Sequence, residues 1–223
     1  MTQFQTLQYN TDNLRLGIDY FKNQIANKDI CFLQRCNNDA IELLKKQFAQ
    51  VWTQPHSCNL SCVIATQNTS VSLIEKLKLP SWNTTTTFDD DFQGSSAVVV
   101  KINNTVMISA LPGYDENNMH NDQLCYGDIE YLLERYQDNR TLIVGDFHRP
   151  PWDTRTLELL NNYKFNSYID SAITFYHQSG NRFNLDKCIA NFDLSIKDVH
   201  SHQTAREKQG HYAVTYVLTD LTL

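Results

Sequence analysis

Long apolar runs are missing from this chain. No stretch approaches the length of a membrane span, and no basic-then-apolar leader follows Met1, where the residues are Thr-Gln-Phe-Gln. An intracellular protein, cytoplasmic or nuclear and with no membrane partner, is expected. Paired cysteines are missing too. Cys31, Cys36, Cys58, Cys62, Cys125 and Cys188 are scattered, and none forms a Cys-x-x-Cys pair. That excludes the usual zinc and redox motifs and predicts reduced structural thiols, with Cys31 buried in the run Ile30-Cys31-Phe32-Leu33. The sequons at Asn59 and Asn83 are what an Asn- and Thr-rich chain produces by chance. Basic charge is scarce as well: 19 Lys and Arg stand against 25 Asp and Glu, a formal net charge of -6. A protein that coats nucleic acid non-specifically needs many phosphate contacts and is excluded. A local basic patch or a metal-bridged substrate is not.

There is no Pro/Gly-rich linker, no repeat and no shift of composition, so one domain over residues 1–223 is expected. With 223 residues, 41% of them hydrophobic, the chain can bury a sizeable core. Phe4 to Tyr9 reads as a strand. Leu14 to Ala26 predicts a helix with Ile18, Phe21 and Ile25 on one face. Ile30 to Leu33 is a compact apolar strand, and Asn38 can cap a second helix with Ile41, Leu44 and Phe48 inside. This β-α-β-α start favours an α/β fold. Cys58 to Ala65 predicts another strand. The polar stretch from Asn83 to Gly94, with its acidic run Asp89-Asp90-Asp91, predicts a solvated loop rather than a cation site.

Ala97–Ile102 and Val106–Leu111 form a hairpin about Asn103-Asn104, since Asn tolerates positive φ. Pro112-Gly113 ends it, and a polar loop runs to Asp122. An amphipathic helix follows, with Ile129, Leu132, Leu133 and Tyr136 inward. Thr141–Val144 is a buried strand, Thr154–Tyr163 a helix capped by Asp153. Short strands are expected near Ser171–Phe175, Asn184–Ala190 and His211–Leu218. The cluster His200, Ser201 and His202 fits a solvated loop better than a metal site, because no carboxylate or thiol falls at ligand spacing.

The informative segment is Leu142-Ile143-Val144-Gly145-Asp146-Phe147-His148. An apolar strand delivers an aspartate at its carboxyl end, where α/β proteins place functional residues. The glycine there lets the backbone turn or approach a ligand closely. Five more stretches align around it in order: Leu7-Gln8-Tyr9-Asn10, Cys31-Phe32-Leu33-Gln34-Arg35, Ala110-Leu111-Pro112, Leu185-Asp186, and Gln209-Gly210-His211 before Tyr212-Ala213-Val214. Together they resemble the endonuclease/exonuclease/phosphatase family. Its motifs are Asn after the first strand, Gln-Glu, His-x-Pro or Tyr-x-Pro, Gly-Asp-Phe-Asn, Leu-Asp or Ile-Asp, and Ser-Asp-His. The segment Pro150-Pro151-Trp152 and the compact length are similar to the retrotransposon-type endonuclease branch.

The resemblance implies a DNase I-like four-layer sandwich of two mixed β-sheets flanked by helices. It also implies metal-assisted attack of water on a phosphodiester, with Mg²⁺ or Mn²⁺ if the site is active. It assigns water orientation or activation to Asp146, a hydrogen bond to phosphate or to a metal-bound water to Asn10, phosphate stabilisation to His211 and support to Asp186; Arg35, His148 and Asp186 are the candidate substrate-binding residues. Read as residues alone, Asp186 can equally satisfy backbone donors and His148 can sit in an exposed loop.

Four departures run through these motifs. Arg35 replaces the metal-binding glutamate, Gly210 the aspartate before the final histidine, His148 the Asn of Gly-Asp-Phe-Asn, and Ala110 the His or Tyr before Pro. An arginine where a cation should sit repels that cation. Replacing Glu by Arg and losing Asp adds three units of positive charge, which offsets a missing divalent ion. Arg35 is therefore expected to fill the cation slot and to bind phosphate through its bidentate fork. If Arg35 instead lies in a shifted loop, Asp39 or Glu42 is the missing acid.

The expected function is a binding module for nucleic acid or a protein partner with little or no metal-dependent catalysis. Arg35, Lys101 and Arg149 are the candidate bases. A working phosphodiesterase and a structural subunit of a larger assembly are the alternatives.

Overall fold

A computed structural model describes residues 3–57, 60–83, 95–113, 123–149, 153–177, 179–203 and 210–219. The acidic run Asp89-Asp90-Asp91, the polar loop up to Asp122, Cys58, the sequon residue Asn59, Pro150-Pro151-Trp152 and Gln209 lie outside these residues.

The elements in chain order are β1 (Gln3–Asn10), α1 (Ile18–Ile25), β2 (Ile30–Cys36), α2 (Asn38–Gln47), β3 (Gln50–Ser57), β4 (Leu60–Thr66) and β5 (Ser72–Lys78). Next come β6 (Ser96–Ile102), β7 (Thr105–Leu111), α3 (Gln123–Tyr136), β8 (Arg140–Asp146), α4 (Thr154–Asn162) and β9 (Asn166–Ser167). The chain then adds β10 (Phe175–Tyr176), β11 (Arg182–Phe183), β12 (Asp186–Ala190), β13 (Ser195–Ser201), β14 (Gly210–His211) and β15 (Val214–Thr219).

Two six-stranded mixed sheets form the centre, in the orders β13-β15-β1-β2-β4-β3 and β5-β6-β7-β8-β12-β9. Each holds one parallel pair, β1 with β2 and β7 with β8, flanked by antiparallel neighbours. Strand periodicity decides what meets what. In β1, Phe4 faces the second sheet while Leu7 and Tyr9 pack with Phe21 and Ile25 of α1. In β8, Leu142 and Val144 join the inter-sheet core, and Ile143 packs with Ile129, Leu132 and Leu133 of α3. The layers are therefore helices, sheet, sheet, helices, the DNase I-like α/β sandwich. Each fully buried Leu, Ile, Val or Phe in these cores contributes roughly 1.5–3 kcal/mol.

Local signals mostly land where expected. The hairpin turns at Asn103 with φ 54°, α4 is capped by Asp153, and β7 stops before Pro112. Several expectations are corrected. The first helix begins at Ile18, because residues 12–14 form a left-handed turn and Gly17 has φ 94°. Asn37 caps α2: its Oδ1 accepts the Ala40 amide at 2.9 Å, so Asn38 is the first helical residue. Ser171–Phe175 contributes strand only at Phe175. The His200-Ser201-His202 cluster ends the edge strand β13 and the turn after it, where His202 Nε2 lies 2.7 Å from Thr215 Oγ1.

Two polar bridges cross between the sheets and align their carboxyl ends. Gln8 Nε2 donates to the carbonyls of Lys187 (3.0 Å) and Gly145 (3.3 Å). Gln34 Nε2 donates to Ser109 Oγ at 3.0 Å, and that hydroxyl donates to the Leu33 carbonyl at 3.2 Å. Buried amides without partners cost free energy, so these bonds make one relative position of the sheets preferred.

Gly145 serves the fold more than a ligand. A Cβ there would stand 2.0 Å from the Ala110 carbonyl oxygen of β7. The close approach is between two central strands.

Candidate active site

Four strands bring their ends together on the inner face of the sandwich. Asn10 closes β1, Asp146 closes β8, Asp186 opens β12 and His211 lies in β14. Asp186 is the ladder partner of Asp146, and Asn10 that of Gln34. His211 pairs with Phe175 in a small third sheet, β11-β10-β14, and its ring packs 4.8 Å from that of Phe175. Thr174 fastens this lid-like sheet to β12: its Oγ1 accepts from the amides of Leu185 (2.9 Å) and Asp186 (3.1 Å), and its carbonyl accepts from Tyr212.

The four side chains form one buried network. Asn10 Nδ2 donates to Asp146 Oδ2 at 2.8 Å and lies 3.4 Å from His211 Nε2. His211 Nε2 is 3.5 Å from Asp146 Oδ2, and Nδ1 is 3.1 Å from Asp186 Oδ2. The His148 amide donates to Asp146 Oδ1 at 3.0 Å, and its Nδ1 lies 3.4 Å from Oδ2. His148 is thus a partner of Asp146 with only 10% of its side chain exposed, not an open loop residue. Asp186 holds an imidazole through Oδ2, while Oδ1 is buried with no hydrogen-bond partner.

Electrostatics follow from this geometry. Burial alone would pull the His211 imidazolium down, but the charges of Asp146 and Asp186 outweigh it and push it up to about 9. Burial disfavours the charged form of Asp146. The two imidazoles, the His148 amide and Asn10 overcome that and hold it below the usual carboxylate range. Asp186 has fewer donors, so burial raises it. At neutral pH the cluster is an imidazolium clasped between two carboxyl groups.

Beside it, residues 12–14 turn left-handed, with φ of 44°, 56° and 61° at Asp12, Asn13 and Leu14. For L-residues that conformation costs about 1–2 kcal/mol each. Local bonds hold it: the Asp12 amide donates to Asn10 Oδ1 at 3.0 Å, and Asn37 Nδ2 donates to Asn13 Oδ1 at 3.0 Å. The turn brings the Asp12 carboxylate to Arg35 Nη1 at 3.0 Å and Arg15 Nη1 at 3.3 Å. Arg35, with φ 54°, sits where β2 bulges against β4. A Cβ on Gly210 would stand 3.9 Å from Asp12 Oδ2 and 3.3 Å from Arg15 Cδ. The two positions that lack the expected acidic ligands, 35 and 210, therefore converge on Asp12.

Other sequence candidates lie elsewhere. Asp39 and Glu42 are exposed on α2, where Glu42 pairs with Lys45, so neither supplies the missing acid. Lys101 is at the far end of β6, since Ser96 is the β6 partner of the site-end residue Leu111. Arg149 is buried, its guanidinium 4.9 Å over the Tyr126 ring. Sequence reasoning missed Asp12, Arg15, Thr174 and the buried Asp128. Asp128 accepts from Ser81 N (2.8 Å), Ser81 Oγ (2.5 Å) and Gly113 N (2.7 Å) and so fixes the end of β7.

Asp146, Asp186 and His211 each offer a ligand atom, all within 4.8 Å of one another. Mg²⁺ prefers oxygen donors and keeps several waters. Here both carboxyl groups already clasp His211, the whole cluster is buried, and of the two positions expected to be acidic one is Arg35 and the other Gly210. The residues do not fit a Mg²⁺ ion held in the way the sequence resemblance implies.

The sandwich is the DNase I-like fold of endonuclease/exonuclease/phosphatase proteins. The solved structures it is similar to include D. rerio TDP2 complexed with single-strand DNA product, at TM-score 0.70 and 11% identity over 98% of this chain and 100% of that one. An endonuclease/exonuclease/phosphatase from Bacteroides vulgatus matches at TM-score 0.70 and 8% identity, covering 98% and 99%. A family protein from Leptotrichia buccalis matches at TM-score 0.64 and 13% identity, covering 96% and 99%. At such identities the likeness concerns the fold. No protein-family profile matches the sequence, and no curated protein matches it either.

Proposed function

We propose that this chain is one divergent domain of the endonuclease/exonuclease/phosphatase family that binds nucleic-acid phosphate, with metal-dependent hydrolysis lost or strongly reduced. The observation that carries this reading is the convergence of Arg35 and Gly210 on Asp12. The Arg35 guanidinium pairs with Asp12, whose amide donates to Asn10 of the buried cluster, and Arg35 stands at the position where the family resemblance expects a metal-binding glutamate. Arginine suits phosphate through its planar fork and stays charged at every working pH. Action inside a reducing cell compartment agrees with Cys31, Cys36, Cys62, Cys125 and Cys188, which are buried free thiols. Among the described residues no helix is long and apolar enough to cross a membrane.

A second reading, an active phosphodiesterase, is favoured by the network of Asn10, Asp146, Asp186 and His211. Asp146, held as an anion, can orient an attacking water by accepting its hydrogen bond. The structural-subunit reading has less support, since the exposed large apolar side chains among the described residues are Leu73, Ile74 and Leu157.

Hydrolysis of single- and double-stranded DNA and RNA with Mg²⁺ and Mn²⁺, with Asp146→Ala as control, separates the first two. No cleavage by either protein, with salt-sensitive binding that Arg35→Gln weakens, is expected. Cleavage that disappears in Asp146→Ala overturns the binding-module reading in favour of the enzyme.

A further inference from the structure

Asp12 is held as a bound anion would be. Arg15 Nη1 takes Oδ2 and Arg35 Nη1 takes Oδ1, so two guanidinium groups grip the two oxygens of one carboxylate. The grip is near the surface: the side chains of Arg15, Arg35 and Asp12 are 48%, 19% and 17% exposed. Gly210 leaves room for it, because a side chain there would press on Arg15. The carboxylate arrives on a turn whose three left-handed residues store strain.

We propose that Arg15 and Arg35 form a seat for a terminal phosphate monoester of a nucleic-acid strand, and that Asp12 occupies this seat until the phosphate displaces it. The proposal rests on the phosphate-binding reading above and adds the ligand's class and the internal competitor. Two guanidinium groups match the roughly two negative charges of a monoester better than the single charge of an internal diester. Displacement frees the Asp12 carboxylate and so removes two of the contacts that hold the strained turn.

The test is fluorescence anisotropy of short labelled single strands carrying a 5′-phosphate, a 3′-phosphate or no terminal phosphate. Asp12→Asn keeps the shape and the tolerance of positive φ and removes the competing charge. Asp19→Asn, on α1 with its side chain 90% exposed, makes the same change of net charge elsewhere. Asp12→Asn is expected to bind a phosphorylated strand about tenfold more tightly than wild type, while Asp19→Asn changes affinity less than about twofold. Adding Arg15→Gln to Asp12→Asn should cancel the gain.

Equal or weaker binding by Asp12→Asn than by Asp19→Asn overturns the proposal, as does indifference to the terminal phosphate. If Arg35→Gln weakens binding but Asp12→Asn does not strengthen it, only the occupied-seat idea falls. If Arg35→Gln has no effect, the phosphate-binding reading falls with it. Should Asp12→Asn fold poorly, amide exchange in wild type decides. Exchange at residues 12–15 should speed up when the phosphorylated strand is added, and slower exchange refutes displacement.

Discussion

Raising the pH should loosen this protein through His211. Its imidazolium, ordinarily near 6.5, is pushed up to about 9 in the folded protein by Asp146 and Asp186 against the opposing pull of burial. A group raised on folding stabilises below its unfolded value and loses that contribution as pH rises through its folded value. The difference corresponds to about 3 kcal/mol, and roughly half of it is lost by pH 8. Other groups bound the window. His202, lowered by burial and by the charges of Lys28 and His200, acts below its ordinary value. Lys187, lowered by burial to about 8 despite Asp170 and Asp186, adds stability from there upward and partly hides the His211 loss at higher pH. Neither of these two groups produces a loss of stability between pH 6.5 and 8 of the kind expected from His211. Urea denaturation across that interval should show a loss of about 1–2 kcal/mol, or a fall in Tm of roughly 2–8 °C for a chain of this size. Ring-proton NMR should find one histidine titrating near 9. An imidazole at 211 that titrates at or below its ordinary value, with constant stability up to pH 8, would refute the clasped imidazolium.

Gly145→Ala should drive a methyl group into the Ala110 carbonyl of the adjacent central strand and cost about 3 kcal/mol or more, read from the urea midpoint; a cost under about 1 kcal/mol contradicts the close approach. Asp128→Ala leaves the buried amides of Ser81 and Gly113 without their acceptor and should cost about 2–4 kcal/mol by thermal unfolding, whereas a neutral result means water replaces the carboxylate. Arg35→Glu sets a second carboxylate beside Asp12 and should raise Mn²⁺ affinity by at least about tenfold in calorimetry, with an unchanged titration showing that position 35 is not where a cation would sit.

What could be read from the sequence depended on whether a residue's role was local. Asp146 follows a buried apolar strand, and Asn10, Asp186 and His211 sit at strand ends whose order carried the family resemblance. The fold followed from those motifs and from the early alternation of strands and helices. The two-residue strands β9 and β11 escaped, as did three longer strands whose pattern is broken. In β5 a bulge between Leu73 and Glu75 leaves Leu73 and Ile74 both exposed. In β13 a shift between Lys197 and His200, with Asp198 at φ 53°, does the same. In β3, Pro55 argues against a central strand and is tolerated because the strand is at the edge. The capping of α2 was displaced by one residue because Asn37 and Asn38 are equally good caps by type.

Asp12 was illegible for a different reason. The run Asn10-Thr11-Asp12-Asn13 advertises a turn that tolerates positive φ, but its partners come from residues 15 and 35 and from the space left at 210. Positions 35 and 210 stand out as departures from the family motifs, but neither points to Asp12 by itself. Without Asp12 the Arg35 guanidinium would lose a carboxylate 3.0 Å away, and a side chain at 210 would press on Arg15. The three are intelligible only together: the glycine makes room, the strained turn delivers the carboxylate, and the arginine gains an anion. Where the sequence resemblance implies a cation held by acids, this chain has an anion, Asp12, held by two bases. The expected ligand of this corner of the site follows from that inversion, a phosphate rather than a metal ion.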